Sequence, residues 1–186
     1  AFVLLNATEA QKNSITADGL LTALEKAKKQ SVTAYTEKKI SGDLLSEMPV
    51  AGSILKTEEN AEFGSKLYSL SNGIKVISKK TDFKNDEIVF KGAQWGGLTN
   101  LSTKEIIATK YFSLVNSLGV GSHKGADMPK LLAGVQANLN IFMTPYQLNL
   151  FGNTTPGDLE KYLQLIYLKM TRVNFDKEEF EGRKEG

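Results

Sequence analysis

A chain of 186 residues, 41% hydrophobic and 24% charged, has the composition of an ordinary globular domain with an extension, and is long enough to bury a core without metal or disulfide help. Its 23 Lys and Arg against 21 Asp and Glu leave a net charge of +2, which speaks against nucleic acid as a partner, because a phosphate-binding face needs clustered basic residues. Cysteine is absent, so disulfides and thiolate metal sites are excluded while the redox compartment stays open, a cell-envelope or periplasmic setting among the options.

No apolar run approaches the roughly 18 residues of a membrane-spanning helix. Ala1-Phe2-Val3-Leu4-Leu5 is too short for a signal-peptide core and lacks a basic flank. The chain starts without Met and stops at Arg183-Lys184-Glu185-Gly186, inside a polar helical pattern, so both ends read as cuts.

Phe2 to Leu5 reads as an orphaned strand. Thr16 is an N-cap for a helix through Lys29, with Leu20, Leu21, Leu24 and Ala27 on one face. Lys26, Lys28, Lys29, Lys38 and Lys39 read as a solvated face. Pro49-Val50-Ala51-Gly52-Ser53 breaks regular structure, and Lys56 to Glu62 is polar and acidic. Residues 1–66 are therefore expected to form a helix plus an extended connector, with a compact domain over 67–186.

In that domain, Leu67 to Leu70, Asn72-Gly73 and Ile74 to Ser78 predict a hairpin, because Asn-Gly suits positive φ in a tight turn. Thr81 to Asp86 is a loop. Glu87 to Trp95 is a strand with Ile88, Phe90 and Gly92 on one face, ended by Gly96-Gly97. Ser102 and Glu105 form a capping box that opens a helix to Leu118, with Ile107, Tyr111, Leu114, Val115 and Leu118 inward and Gly119 as its left-handed stop. Asp127-Met128-Pro129 opens a short helix. Val135 to Met143 and Tyr146 to Asn153 are paired strands. Thr155-Pro156 starts a helix with Leu159, Leu163, Ile166 and Met170 inward, and Asp176 caps a last helix containing Phe180. The order predicts an α+β fold, a two-layer sandwich of a mainly antiparallel sheet with helices on one face.

The candidate chemistry is sparse. His123 is the only histidine and has no partner at metal-ligand spacing, so it reads as a water-exposed loop residue. The surrounding 119–125 loop is glycine-rich but lacks P-loop spacing and follows a helix, so its glycines read as a helix stop. Glu58, Glu59 and Glu62, and likewise Glu178, Glu179, Glu181 and Glu185, read as solubilising charges without a pKa-perturbing pocket. No nucleophile elbow accompanies His123. Trp95, Tyr111, Phe112, Tyr146 and Phe151 could line a peptide groove or fill the core.

In their order along the chain, Leu70-Ser71-Asn72-Gly73-Ile74-Lys75-Val76-Ile77, Thr81 to Ile88, Gly96-Gly97, Leu131-Leu132-Ala133-Gly134, Thr155-Pro156-Gly157-Asp158-Leu159-Glu160 and Asn174-Phe175-Asp176 resemble the insulinase/pitrilysin family of zinc peptidases. The resemblance covers 67–186, and the stretch with Leu44-Leu45, Pro49 and Gly52 is similar to the linker between the two halves of such proteins. It implies the LuxS/mitochondrial-processing-peptidase-like metallohydrolase fold and a clamshell closed over peptides. In active family members an H-x-x-E-H motif on the first helix after the Gly-Gly strand, with a distal Glu, holds zinc and activates water.

Here that helix reads Ile106-Ile107-Ala108-Thr109-Lys110-Tyr111-Phe112-Ser113, with no histidine, and its acid Glu105 is a cap. The resemblance therefore implies a non-catalytic second-half domain, truncated at its C-terminus, with no catalytic, cofactor-binding or metal residue in this chain. Zinc is expected in the catalytic half of the parent, a zinc metalloendopeptidase. The expected partners are that half or a homologous subunit, and peptide substrates. The alternative is a stand-alone structural or partner-binding subunit of a peptidase complex.

Overall fold

The computed structural model describes Thr8 and residues 15–33 and 43–184; the strand expected at Phe2–Leu5, Lys38, Lys39 and Glu185 lie outside them. The chain divides between Lys39 and Ile40 into two units. The first contains helix α1 (Ala17–Lys29), capped as expected, with the Thr16 hydroxyl accepting from the Gly19 amide at 3.1 Å. None of its residues is buried within that unit, so its leucine stripe stays wet.

The second unit opens on a sheet of three strands, β1 (Ile54–Asn60), β2 (Ser65–Leu70) and β3 (Lys75–Lys79), all antiparallel. β2 and β3 are the expected hairpin. Its turn places Gly73 at φ +85° and no other residue at positive φ, while the Asn72 side-chain oxygen accepts from the Ile74 amide at 3.1 Å. Residues 56–60, read from sequence as part of a polar connector, instead pair with β2, and Glu58 and Glu59 form ion pairs with Lys56 and Lys66 at 2.8 and 2.7 Å. Polarity concealed this strand because both of its faces are exposed, leaving no buried side to alternate with.

A second sheet holds β4 (Ile88–Trp95), β6 (Ala137–Met143) and β7 (Gln147–Thr154), with β7 in the centre. Its inner face presents Phe90, Ile141 and Leu150, and helix α4 (Leu159–Thr171) covers it. Tyr162 of α4 packs edge-on to Phe90, ring centroids 5.8 Å apart. Gly152 makes this close approach feasible: a Cβ there would meet the Asn138 carbonyl and the Tyr162 hydroxyl. The expected inward stripe of α4 is corrected. Tyr162, Leu165, Leu168 and Lys169 are buried, whereas Leu163 and Met170 are exposed.

Two further antiparallel residue pairs join β5 (Gly119–Val120) to β8 (Val173–Asn174). Gly119 is not the left-handed stop expected of it, since its φ is not positive. A Cβ there would strike the His123 carbonyl, so the glycine serves a close chain crossing. The core gathers Val120, Met128 of α3 (Met128–Leu131), Leu165, Leu168 and Leu44, the last 3% exposed although the sequence placed it in the connector. The fold is α+β with antiparallel sheets and helices, as expected.

Candidate functional site

The segment after the Gly-Gly strand end is where the sequence pointed for chemistry. Gly96 and Gly97 take φ +130° and +50°, and a Cβ on Gly97 would collide with backbone at Thr144 and Gln147. The turn is thus pressed against the β6–β7 connection. Helix α2 (Thr103–Ala108) follows, opened by the predicted capping box. The Ser102 amide donates to Glu105 Oε2 at 2.8 Å, and the Ser102 hydroxyl donates to the same oxygen at 2.6 Å. These bonds, the hydroxyl's first, hold the Glu105 carboxyl below the usual carboxylate range.

The expected α-helix to Leu118 is corrected: α2 ends at Ala108 and a 3₁₀ segment runs from Thr109 to Asn116. The Thr109 hydroxyl donates to the Ile106 carbonyl at 2.6 Å, where the helix tightens. Ile107, expected inward, faces solvent.

Asn116 and Lys169, which carry no signal in sequence, fix this segment. Asn116 exchanges two hydrogen bonds with Ile141 of β6, its amide donating to the carbonyl at 3.0 Å and its oxygen accepting from the amide at 2.7 Å. Lys169 Nζ donates to the carbonyls of Val115, Asn116 and Leu118 at 2.7, 3.2 and 2.7 Å, satisfying the orphan acceptors of a helix end. Burial pushes its pKa down to about 8. A lone lysine among apolar residues gives no signal in sequence, because its partners are main-chain atoms.

Among the described residues no group of three His, Cys, Asp or Glu could hold a metal ion. The residues of α2 and the 3₁₀ segment do not fit a zinc ligand set: Glu105 is engaged in the cap, and Thr109, Tyr111, Phe112 and Ser113 offer no imidazole. His123 lies away from that helix in the 119–125 loop, half-buried rather than exposed, its amide donating to the Val120 carbonyl at 2.9 Å. Glu179, read as a solubilising charge, instead accepts from the amides of Gly125 and Ala126 at 3.1 and 2.9 Å from α5 (Lys177–Lys184). Asp176 caps α5 as expected and pairs with Lys124 at 2.6 Å, and that pairing lowers its pKa.

What the second sheet offers is its outer face. Registers place Lys91, Phe151 and Asn140 in one row, Ala93, Asn149 and Phe142 in the next, and Trp95 beside Gln147. Trp95 is 79% exposed, and Val89, Phe142 and Phe151 are also exposed. Tyr146, exposed too, accepts from the Gly96 amide through its carbonyl at 2.8 Å, so both aromatics stand on the same rigid strand end. Of the five aromatics expected in groove or core, Trp95 and Phe151 share this face, and Tyr146 is exposed in the turn at its end. Tyr111 and Phe112 lie half-buried on the 3₁₀ segment, Tyr111 edge-on to Phe180.

No family model matches the chain. It is 27% identical over 135 residues to a "Zinc protease PQQL-like" protein of Arabidopsis thaliana, which covers 70% of this chain and 14% of that protein. Its fold superposes on the periplasmic protease PqqL from Escherichia coli with a TM-score of 0.69 at 18% identity, over 95% of this chain and 19% of that one. A mutant of the ferredoxin protease FusC, in complex with Arabidopsis ferredoxin, gives 0.66 at 19% identity, over 87% and 18%. The chain thus spans about a seventh of the curated relative's length and under a fifth of either structure. In sequence and in fold, the resemblance to the insulinase/pitrilysin-type zinc proteases holds.

Proposed function

We propose that this chain is a non-catalytic domain of an insulinase/pitrilysin-type zinc metallopeptidase, forming part of the wall of a clamshell chamber for peptide substrates. The stretch ahead of β1, within the 1–66 region read as a connector, supplies the joint to the catalytic half, which carries the zinc, in the same protein or in a homologous subunit. The observation that carries the reading is the segment after Gly96-Gly97: Thr109, Tyr111, Phe112 and Ser113 stand where an active half has imidazoles, and Glu105 is committed to its cap. The exposed aromatic face beside it supports contact with polypeptide. The FusC structure, which holds ferredoxin, is in keeping with that substrate class. The exposed run around Pro49 to Ser53, outside helix and strand, supports the joint.

Zinc content by atomic emission and peptide cleavage with and without chelator test the reading on the purified chain. Zinc well below one equivalent and no chelator-sensitive cleavage are expected. Stoichiometric zinc with chelator-sensitive turnover overturns it.

A further inference from the structure

The outer face of the β4–β7–β6 sheet is apolar at Val89, Trp95, Phe142 and Phe151, and its remaining positions are mostly carboxamides. Its charge is one-sided. Lys91 is the only charged residue on those register positions, it lies exposed in the row of Phe151, and it makes no ion pair among the described residues. Glu87, just ahead of β4, is already occupied by Lys84 at 3.4 Å and by the Asn153 amide at 2.7 Å. Of its carboxamides, Asn149 is buried and Asn138 donates to Asn153 at 3.1 Å, so a ligand covering this face must fill the aromatic surface, meet the exposed Asn140 amide and neutralise one cation.

We infer that this sheet face docks an extended polypeptide segment bearing aromatic or large apolar side chains together with acidic ones, the carboxylate meeting Lys91. A basic segment would bring a second cation onto Lys91, and like charges brought together on a desolvating face are penalised. A second copy of the chain is disfavoured for the same reason, since face-to-face pairing would bring two unpaired Lys91 ammonium groups into one interface. The exposed Asn140 carboxamide can meet a main-chain donor or acceptor alike, so the face selects composition and charge rather than one sequence. This inference rests on the chamber-wall reading and names the substrate class that such a wall would hold.

Trp95 is the chain's only tryptophan and sits on the face itself, so its emission reports occupancy directly. Three twelve-residue peptides of equal aromatic content, one acidic, one neutral and one basic, are titrated into the 186-residue chain at low salt. A blue shift is expected with the acidic peptide at about a tenth of the concentration the basic one requires, weakening as salt rises. Lys91→Glu, an exposed change, is expected to invert the order, and Phe142→Ser to weaken all three peptides alike. No Trp95 response to any peptide, or a charge order that Lys91→Glu leaves intact, overturns the inference. So does a blue shift that grows with protein concentration in the absence of peptide, which marks a second copy as the occupant. Stoichiometric zinc on this chain would instead overturn the chamber-wall reading while leaving this charge order standing.

Discussion

Two sheets of the same size and the same antiparallel pairing differ in everything except hydrogen bonding. In the β1–β2–β3 sheet every residue of β1 and β3 is exposed, and Ile77 is 72% exposed. In the β4–β7–β6 sheet the inner face is covered by α4, and Leu150 is 7% exposed. Ladders of main-chain bonds are therefore present in both, but only one is fastened by apolar burial, the larger net contribution to stability. Small sheets without such cover are marginal in water, so the first sheet follows the stability of its neighbours while the second sets it.

The sharpest test is a matched pair of truncations. Leu150→Ala on β7 is expected to cost about 3 kcal/mol, by lost burial and the cavity left behind. Ile77→Ala on β3 is expected to cost under about 0.5 kcal/mol, as an exposed substitution does. Denaturant unfolding measures both, and equal losses would break the contrast.

Next in size is Lys169→Met, which keeps the aliphatic stem against the core but strips three carbonyls of their donor. A loss of about 2 kcal/mol is expected. The same residue gives the second sheet's cover a pH signature. In the unfolded chain a lysine holds its proton to about 10.5, while Lys169 releases its own at about 8. Between those values the unfolded chain binds more protons, so this group's contribution makes stability rise with pH across that window and leaves it flat below. Comparing urea midpoints of wild type and Lys169→Met from pH 7 to 10 isolates it, and identical slopes would refute it.

Tyr162→Phe has the opposite sign. The Tyr162 hydroxyl is buried against Gly152 with no hydrogen-bond partner among the described residues. Removing it relieves a desolvation cost, and a gain of about 1 kcal/mol is expected in the melting transition. A loss of similar size would mean that the hydroxyl has a bound partner. The smallest effect belongs to the first sheet: Lys66→Met breaks the exposed pair with Glu59, and no measurable shift of the unfolding midpoint is expected, because water and salt already screen that pair.

Much of this fold is legible locally. The caps at Thr16, Ser102 and Asp176 and the Asn72-Gly73 hairpin are all where their residues place them. The strands at 88–95, 137–143 and 147–154 follow their alternation. Strand β1 was hidden because, with both faces wet, selection leaves no apolar period to read. Helix α4 is ambiguous in sequence because two stripes compete on it. Leu159, Leu163, Ile166 and Met170 look more apolar, yet the helix turns Tyr162, Leu165, Leu168 and Lys169 inward. That choice is made by the Phe90 ring, the gap at Gly152 and the carbonyls awaiting Lys169, none of which adjoins α4 in sequence.

The sequence by itself settled what depends on neighbours three or four residues away: where helices begin, where the hairpin turns and which strand faces alternate. Tertiary structure alone decided which apolar faces are covered, which glycines are required by chain crossings, and that Trp95, Phe142 and Phe151 share one open surface. The division is physical. Caps and turns are closed by bonds within a few residues, whereas burial depends on what the rest of the chain brings alongside, and no short window of residues contains that.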